Sequence, residues 1–135
     1  MLIVMMLPAC SSAPATSSDQ VMARIDSYSP SIPVKVKTGD IVTISVTFTN
    51  TGKIPWQFIG GASVWDDKGS IAGDYERTMD LPLKPGESVT MQWEHKVVTG
   101  SQWIQFGAWK QKPYIKENLL GKSPSPSQIL VIGED

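Results

Sequence analysis

The sequence predicts an all-β fold, an antiparallel β-sandwich of about seven or eight strands, and three observations predict it. Apolar residues recur with period two, the runs are short, and each run is closed by a turn signal rich in Gly, Asn, Asp or Pro. The clearest run is Asp40 to Asn50, where Val42, Ile44, Val46 and Phe48 alternate with Thr43, Ser45, Thr47 and Thr49. One face is apolar and the other is a row of hydroxyls, the pattern of a half-buried antiparallel strand. After Pro85-Gly86 the pattern repeats, with Val89, Met91 and Trp93 on one parity and Ser88, Thr90, Gln92 and Glu94 on the other.

The expected strands run in order over Met22–Tyr28, Val34–Lys37, Ile41–Thr49, Trp56–Trp65, Ile71–Glu76, Ser88–Val97, Trp103–Lys110 and Ile129–Ile132. Thr38-Gly39-Asp40 parts the second from the third, and Asn50-Thr51-Gly52-Lys53 the third from the fourth. Asp66-Asp67-Lys68-Gly69 turns the fourth into the fifth, Lys84-Pro85-Gly86 opens the sixth, and Thr99-Gly100-Ser101 separates the sixth from the seventh. No long stretch has helical period. Only Tyr114 to Leu120 suits a turn or two of helix, with Pro113 and Gly121 as its limits. That excursion interrupts a hairpin between the last two strands, a place where loops host packing or binding.

The N-terminus carries an address. Residues 1–10, MLIVMMLPAC, read as a lipoprotein-type leader: an apolar run ends in Leu7-Pro8-Ala9-Cys10, with the one cysteine of the chain where lipidation would occur. The charged start of such a leader is missing, consistent with a true start upstream of Met1. A diacylglycerol on Cys10 would hold the protein to a membrane by burying CH₂ groups at ~0.8 kcal/mol each. The alternative is an ordinary hydrophobic N-terminus with an incidental thiol. Residues 11–20 (SSAPATSSDQ) have the composition of a flexible linker, and residues 21–135 form the folded domain. A single cysteine allows no internal disulfide, so an exported domain of this length relies on its core, burying about two-thirds of its unfolded surface.

Charge and motifs exclude several function classes. Lys+Arg 12 against Asp+Glu 13 leaves a net charge of -1, too balanced for the basic footprint that nucleic-acid binding requires. The lone histidine, His95, has no cysteine or carboxylate motif around it, so no metal and no cofactor is expected. Asp66-Asp67-Lys68-Gly69 lacks the spaced acids of a calcium loop and reads as a solvated turn. Asp74 and Glu76 alternate on one strand face, but a glycosidase needs a cleft between its two carboxylates and the sequence marks none. No G-x-S-x-G elbow or histidine-containing triad can be assembled, and the expectation is a protein that is not an enzyme.

The runs TGDIVTISVTFTNTGKIPW, LPLKPGESVTMQW and GSQWIQFGAW together resemble two families of immunoglobulin-like module. One is the bacterial and archaeal cell-adhesion-related domain; the other is the four-tryptophan domain of selective-autophagy receptors. The resemblance covers roughly residues 25–110. In both families an Asn-x-Gly turn closes the second strand and a Pro-Gly-x-Ser strand follows mid-domain. Trp56, Trp65 and Trp109 stand where the four-tryptophan pattern places aromatics, while Val46 replaces its first tryptophan and the last strand has none. The resemblance implies an immunoglobulin-like fold with a binding or spacing role.

Five tryptophans carry the remaining chemical information. Trp93 shares parity with Met91, and Trp56 with Phe58, which assigns both to the core. For Trp103 and Trp109 parity points outward: facing them inward would bury Gln105 and expose Ile104, Phe106 and Ala108. Six residues apart on one strand, the two rings would stand ~20 Å apart with Gln105 and Gly107 between them. Trp65 joins this platform if its strand keeps register; a bulge at Gly60-Gly61 would turn it away. Lys110, Lys112 and Lys116 form a basic strip beside Trp109, either a solubilising surface or one suited to acidic glycans or lipid headgroups. Aromatic faces with amide donors suit sugar rings or Pro-rich peptides. In the alternative, Gln111 to Pro126 folds back over this face and makes it a second small core, and the rarity of large exposed aromatic patches favours that outcome.

Two function classes follow. One is a membrane-anchored, extracytoplasmic lipoprotein that binds an envelope glycan or protein through Trp103, Gln105, Trp109, Trp65, Lys110 and Lys112. The other is a structural spacer that docks another envelope protein through a strand edge. The leader gives a direct test. A clickable fatty acid fed to expressing cells is expected to label the wild type and not Cys10→Ser; equal labelling of both removes lipidation at Cys10.

Overall fold

The computed structural model describes residues 20–132, so Cys10 and nearly all of the expected linker lie outside the described residues. Nine strands form in the order β1 (Ala23–Ser29), β2 (Val34–Val36), β3 (Ile41–Asn50), β4 (Ile59–Trp65), β5 (Ile71–Thr78), β6 (Ser88–Lys96), β7 (Gln102–Trp109), β8 (Leu119–Lys122) and β9 (Ser127–Val131). They make a sandwich of two sheets. One has the order β1-β3-β6; the other runs β2-β9-β7-β4-β5, with β8 also on β7.

Period two is realised as expected in the central strands. Ile44, Val46 and Phe48 of β3 are fully buried, as are Ile104, Phe106 and Ala108 of β7 and Val64 of β4. Phe48 meets Phe58 edge to face at 5.8 Å between ring centroids, and Tyr28 tilts against Phe106 at 5.6 Å. Such aromatic contacts add to the transfer free energy of a closely packed core. On the opposite face of β3 the hydroxyl row pairs across to β6: Thr47 and Thr90 share a hydrogen bond of 2.7 Å, and so do Thr49 and Ser88.

Four expectations are corrected. The fourth strand starts at Ile59 rather than Trp56, because Trp56 forms a separate bridge with Leu83 that takes its backbone groups out of line with β4. The helix expected over Tyr114–Leu120 shrinks to a 3-10 turn at Lys116–Asn118, since Leu119 onward pairs with β7 as strand β8. Strands β8 and β9 follow each other along the same edge of β7, broken between Lys122 and Ser127, and β2 joins β9 in parallel. Trp56 and Trp93 are half-buried at the core margin rather than inside it. Trp93 lies on β6, an edge strand, where it packs against Tyr75 at 6.3 Å with the Arg77 guanidinium 5.8 Å from its ring.

Among the described residues the buried polar side chains are partnered, apart from the hydroxyls of Thr38 and Ser127. Asn50, with no exposed surface, donates from Nδ2 to the carbonyls of Ile54 and Leu83, while its Oδ1 accepts the Gly52 N–H. This is the Asn-x-Gly turn, and it ties the end of β3 to the Trp56–Leu83 bridge. His95 is equally buried: Nδ1 bonds the Tyr75 hydroxyl and Nε2 bonds Gln102 Oε1, each at 2.7 Å. Because Gln102 Nε2 already donates to the carbonyls of Val98 and Gly100, its Oε1 must be the acceptor. The β4–β5 turn is closed by Asp66, whose carboxylate accepts the N–H groups of Ser70 and Lys68 and is held below the usual carboxylate range by them.

The two faces of β3 make the fold testable. Val46→Asp places an unpaired charge in the core and is expected to cost ~3–5 kcal/mol. Thr47→Asp loses one exposed hydrogen bond, ~1 kcal/mol. Equal shifts of the urea midpoint in the two variants would mean that the faces are reversed.

Candidate functional site

The outer face of the larger sheet carries the candidate site, because the strands that bury Ile104, Phe106, Ala62 and Val64 inward must present their alternate residues outward. Antiparallel register brings these outward residues into cross-strand rows. Trp65 lies opposite Trp103, Ser63 opposite Gln105, Gly61 opposite Gly107 and Ile59 opposite Trp109. On the far side of β4, Asp74 aligns with Ser63 and Glu76 with Gly61. Strand β4 thus keeps its register through Gly60-Gly61, and Trp65 shares the face of Trp103 and Trp109.

A groove of about 260 Å³ runs over these rows. Its middle is floored by glycine: a β carbon at Gly107 would lie 3.2 Å from Trp109 Nε1, and one at Gly61 3.8 Å from the same atom. The Nε1 edge of the Trp109 ring therefore reaches over the two glycines. Gly60, one residue earlier, faces inward, where a β carbon would come within 2.5 Å of Met91 Sδ. The paired glycines serve different faces. One admits the core, the other the indole.

Asp74 and Glu76 form one wall, and Ser63 Oγ donates to Asp74 Oδ1 at 3.3 Å. Tyr114, Leu119 and Lys122 form the opposite side and one end, with the Tyr114 ring edge-on to Trp109 at 5.1 Å. Tyr114 keeps 41% of its surface exposed, yet partial desolvation of its hydroxyl, reinforced by hydrogen bonding to Glu76 and by the negative charges of Glu76 and Asp74, pushes it up to about 12. Gln105 Nε2 donates to the carbonyl and hydroxyl oxygens of Ser123, at 2.8 and 2.6 Å, which pins the β8–β9 break against β7. The group that Gln105 can offer the groove is its carbonyl oxygen.

The expected site residues separate into two places. Trp65, Gln105 and Trp109 line the groove; Trp103 lies beside it as the cross-strand neighbour of Trp65. Lys110 and Lys112 line an adjoining hollow with Trp56, and Lys112 Nζ reaches Glu76 at 3.6 Å. Gln111–Pro126 neither leaves the face bare nor seals it. Tyr114, Leu119 and Lys122 wall the Trp109 end, and the groove stays open beyond them. Sequence reasoning missed Tyr114, Leu119 and Lys122 as lining residues, and the available signal was the aromatic and apolar content of a segment between two strands. It also saw no cleft at Asp74 and Glu76. There is one, but both carboxylates stand on the same wall.

No family model matches this sequence, and no curated protein matches it. Solved structures do. The C-terminal domain of wzt superposes with TM-score 0.63 at 12% identity, over 87% of this chain and 77% of that one. A glycosyl hydrolase family 2 member from Bacteroides cellulosilyticus gives TM-score 0.58 at 11% identity over 81% of this chain. A β-glucosidase, EmGH1 from Erythrobacter marinus, gives 0.56 at 16% identity over 83% of it. This chain spans only 15% and 16% of those two enzymes, respectively. A CARDB domain from Pyrococcus furiosus reaches TM-score 0.47 at 13% identity, over 83% of this chain and 94% of that one, a likeness too loose to build on. At such identities the likeness is one of fold, and the fold is an immunoglobulin-like β-sandwich.

The ionisation of Tyr114 checks the groove wall. Its neutral form is favoured in the folded state, so the stabilisation is complete below pH ~10, the ordinary tyrosine value, and is lost as pH rises through about 12. An ultraviolet titration of phenolate is expected to show a component near pH 12 that disappears in Tyr114→Phe. Loss of an ordinary component near pH 10 instead would place the hydroxyl away from Glu76 and Asp74.

Proposed function

We propose that this domain is a non-catalytic recognition module, and that the groove between Trp65 and Trp109 takes a glycan. The observation that carries the reading is a groove with Trp65 and Trp109 along it, the indole edge of Trp109 set over opposed glycines, and fixed polar groups at its border. Sugar rings are flat on one side and ringed by hydroxyls. They match indole side chains lining a groove with Asp74, Glu76, Ser63 and the Gln105 carbonyl at its rim.

A hydrolytic role is the weaker reading because Asp74 and Glu76 stand two residues apart on one strand face, so a glycosidic bond could not lie between them. The leader ending at Cys10 supports display on the extracytoplasmic side of a membrane, where envelope glycans are within reach. The likeness of residues 25–110 to cell-adhesion-related modules agrees with a binding role. A second reading, docking of an envelope protein by strand addition, is favoured by one feature: β5 is an edge strand of eight residues without proline.

Trp65→Ala separates the two. Its ring lies at the end of the groove away from Tyr114, and its removal is expected to weaken binding to array-immobilised envelope glycans by ~1–3 kcal/mol, with little change in the thermal midpoint. A wild type that binds no glycan on the array but pulls down an envelope protein equally well with or without Trp65 would favour the β5 edge.

A further inference from the structure

We propose that the hollow beside the groove is a second subsite, which takes the anionic unit, a carboxylate or a phosphate, of the same glycan chain. The inference rests on the glycan reading of the groove and adds the charge of the ligand.

The hollow is bounded by Pro55, Trp56, Pro82, Lys110 and Lys112, with Gln57 between them, and holds no aspartate or glutamate among its lining residues. Lys110 Nζ lies 5.9 Å from the centre of the Trp56 ring, and the indole Nε1 donates to the Lys110 carbonyl at 2.8 Å. One residue thus fixes the ring and places an ammonium on it. Among the described residues Lys110 has no carboxylate within 4.0 Å, so its charge is balanced only by the π face. Lys112 is paired, but with an exposed partner at 3.6 Å, and an exposed pair of this kind is worth little and is readily exchanged. Two cations therefore converge on a concave surface whose own lining has no carboxylate, the one acid in reach being Glu76 on the groove side.

Groove and hollow share one sheet face. Gly61 lines the first and Ile59 the second, neighbouring outward positions of β4 only ~7 Å apart along the strand. The Glu76–Lys112 pair stands across the boundary, with its acid in the groove and its base in the hollow. From Trp65 to Ile59 the path is ~20 Å, long enough for several sugar units. The groove has both signs of charge, Asp74 and Glu76 beside its middle and Lys122 across from them, whereas the hollow has ammonium groups alone, so the anion of an extended ligand lies over Lys110 and Lys112.

The test uses affinity electrophoresis of the full chain through polygalacturonate, its methyl-esterified neutral form, and phosphomannan. Wild type is expected to be retarded by polygalacturonate or phosphomannan at least ten-fold more strongly than by the neutral ester, and less so at high salt. Which acidic polymer retards it distinguishes carboxylate from phosphate. Lys110→Gln and Lys112→Gln should each weaken that retardation about ten-fold. Lys35→Gln, on the far edge strand β2, should leave it unchanged. Equal retardation by acidic and neutral polymers, or wild-type behaviour of both lysine variants, overturns the second subsite. If Trp65→Ala nonetheless abolishes retardation, the groove reading survives. If no polymer retards the wild type, both fall together.

Discussion

The back-to-back use of β4 and β7 is the constraint from which the rest of the structure follows. Residues on these two strands alternate between the core and the outer face, so burying Ile104, Phe106 and Ala108 determines at once that Trp103, Gln105, Gly107 and Trp109 face out. A slip of one residue would place Gln105 in the core and three apolar side chains in water. The hydrophobic effect therefore sets the register, and the register composes the groove. At ~25 cal/mol per Å² of apolar surface, misplacing those three side chains costs far more than any contact the groove itself makes.

Most of the architecture was legible for that reason. Period two in Asp40–Asn50 and Ser88–Lys96 predicted two strands whose faces the structure keeps, and the outward placement of Trp103 and Trp109 followed from the cost of burying one amide. What was not legible depends on pairing between distant segments. Leu119–Lys122 has no alternation strong enough to announce a strand, and becomes one because β7 offers it an unfilled edge. Trp93 obeyed its parity and still lies at the margin, because parity states which face a ring takes and not how far the opposite sheet extends over it. The posture of Trp109 was similarly hidden. Two glycines that come opposite only in the fold give the indole Nε1 edge room to reach over them.

The site also depends on a segment without regular structure of its own. Between Lys110 and Ser127 the chain has only a 3-10 turn and a four-residue strand, yet it is held at several points: Asn118 Nδ2 to the Pro113 carbonyl, Lys110 N–H to the Asn118 carbonyl, and Ser123 to Gln105 and the Phe106 N–H. Its backbone groups find partners on β7 and within itself, which lets an irregular loop serve as a fixed wall. Sheet and loop divide the work: the sheet provides the flat surface, and the loop provides relief.

The triad of half-buried Tyr75 with buried His95 and Gln102 has a mechanical consequence. Tyr75 and Gln102 belong to the larger sheet and His95 to the smaller, so their hydrogen bonds cross the sandwich where apolar contact alone would hold it. Apolar contact is non-directional and permits one layer to shear over the other at little cost. A ring clamped at both nitrogens resists that motion, because each bond tolerates only a narrow range of distance and angle. The imidazole acts as a dowel between two planks: it adds little to the strength of the joint, but it fixes their alignment.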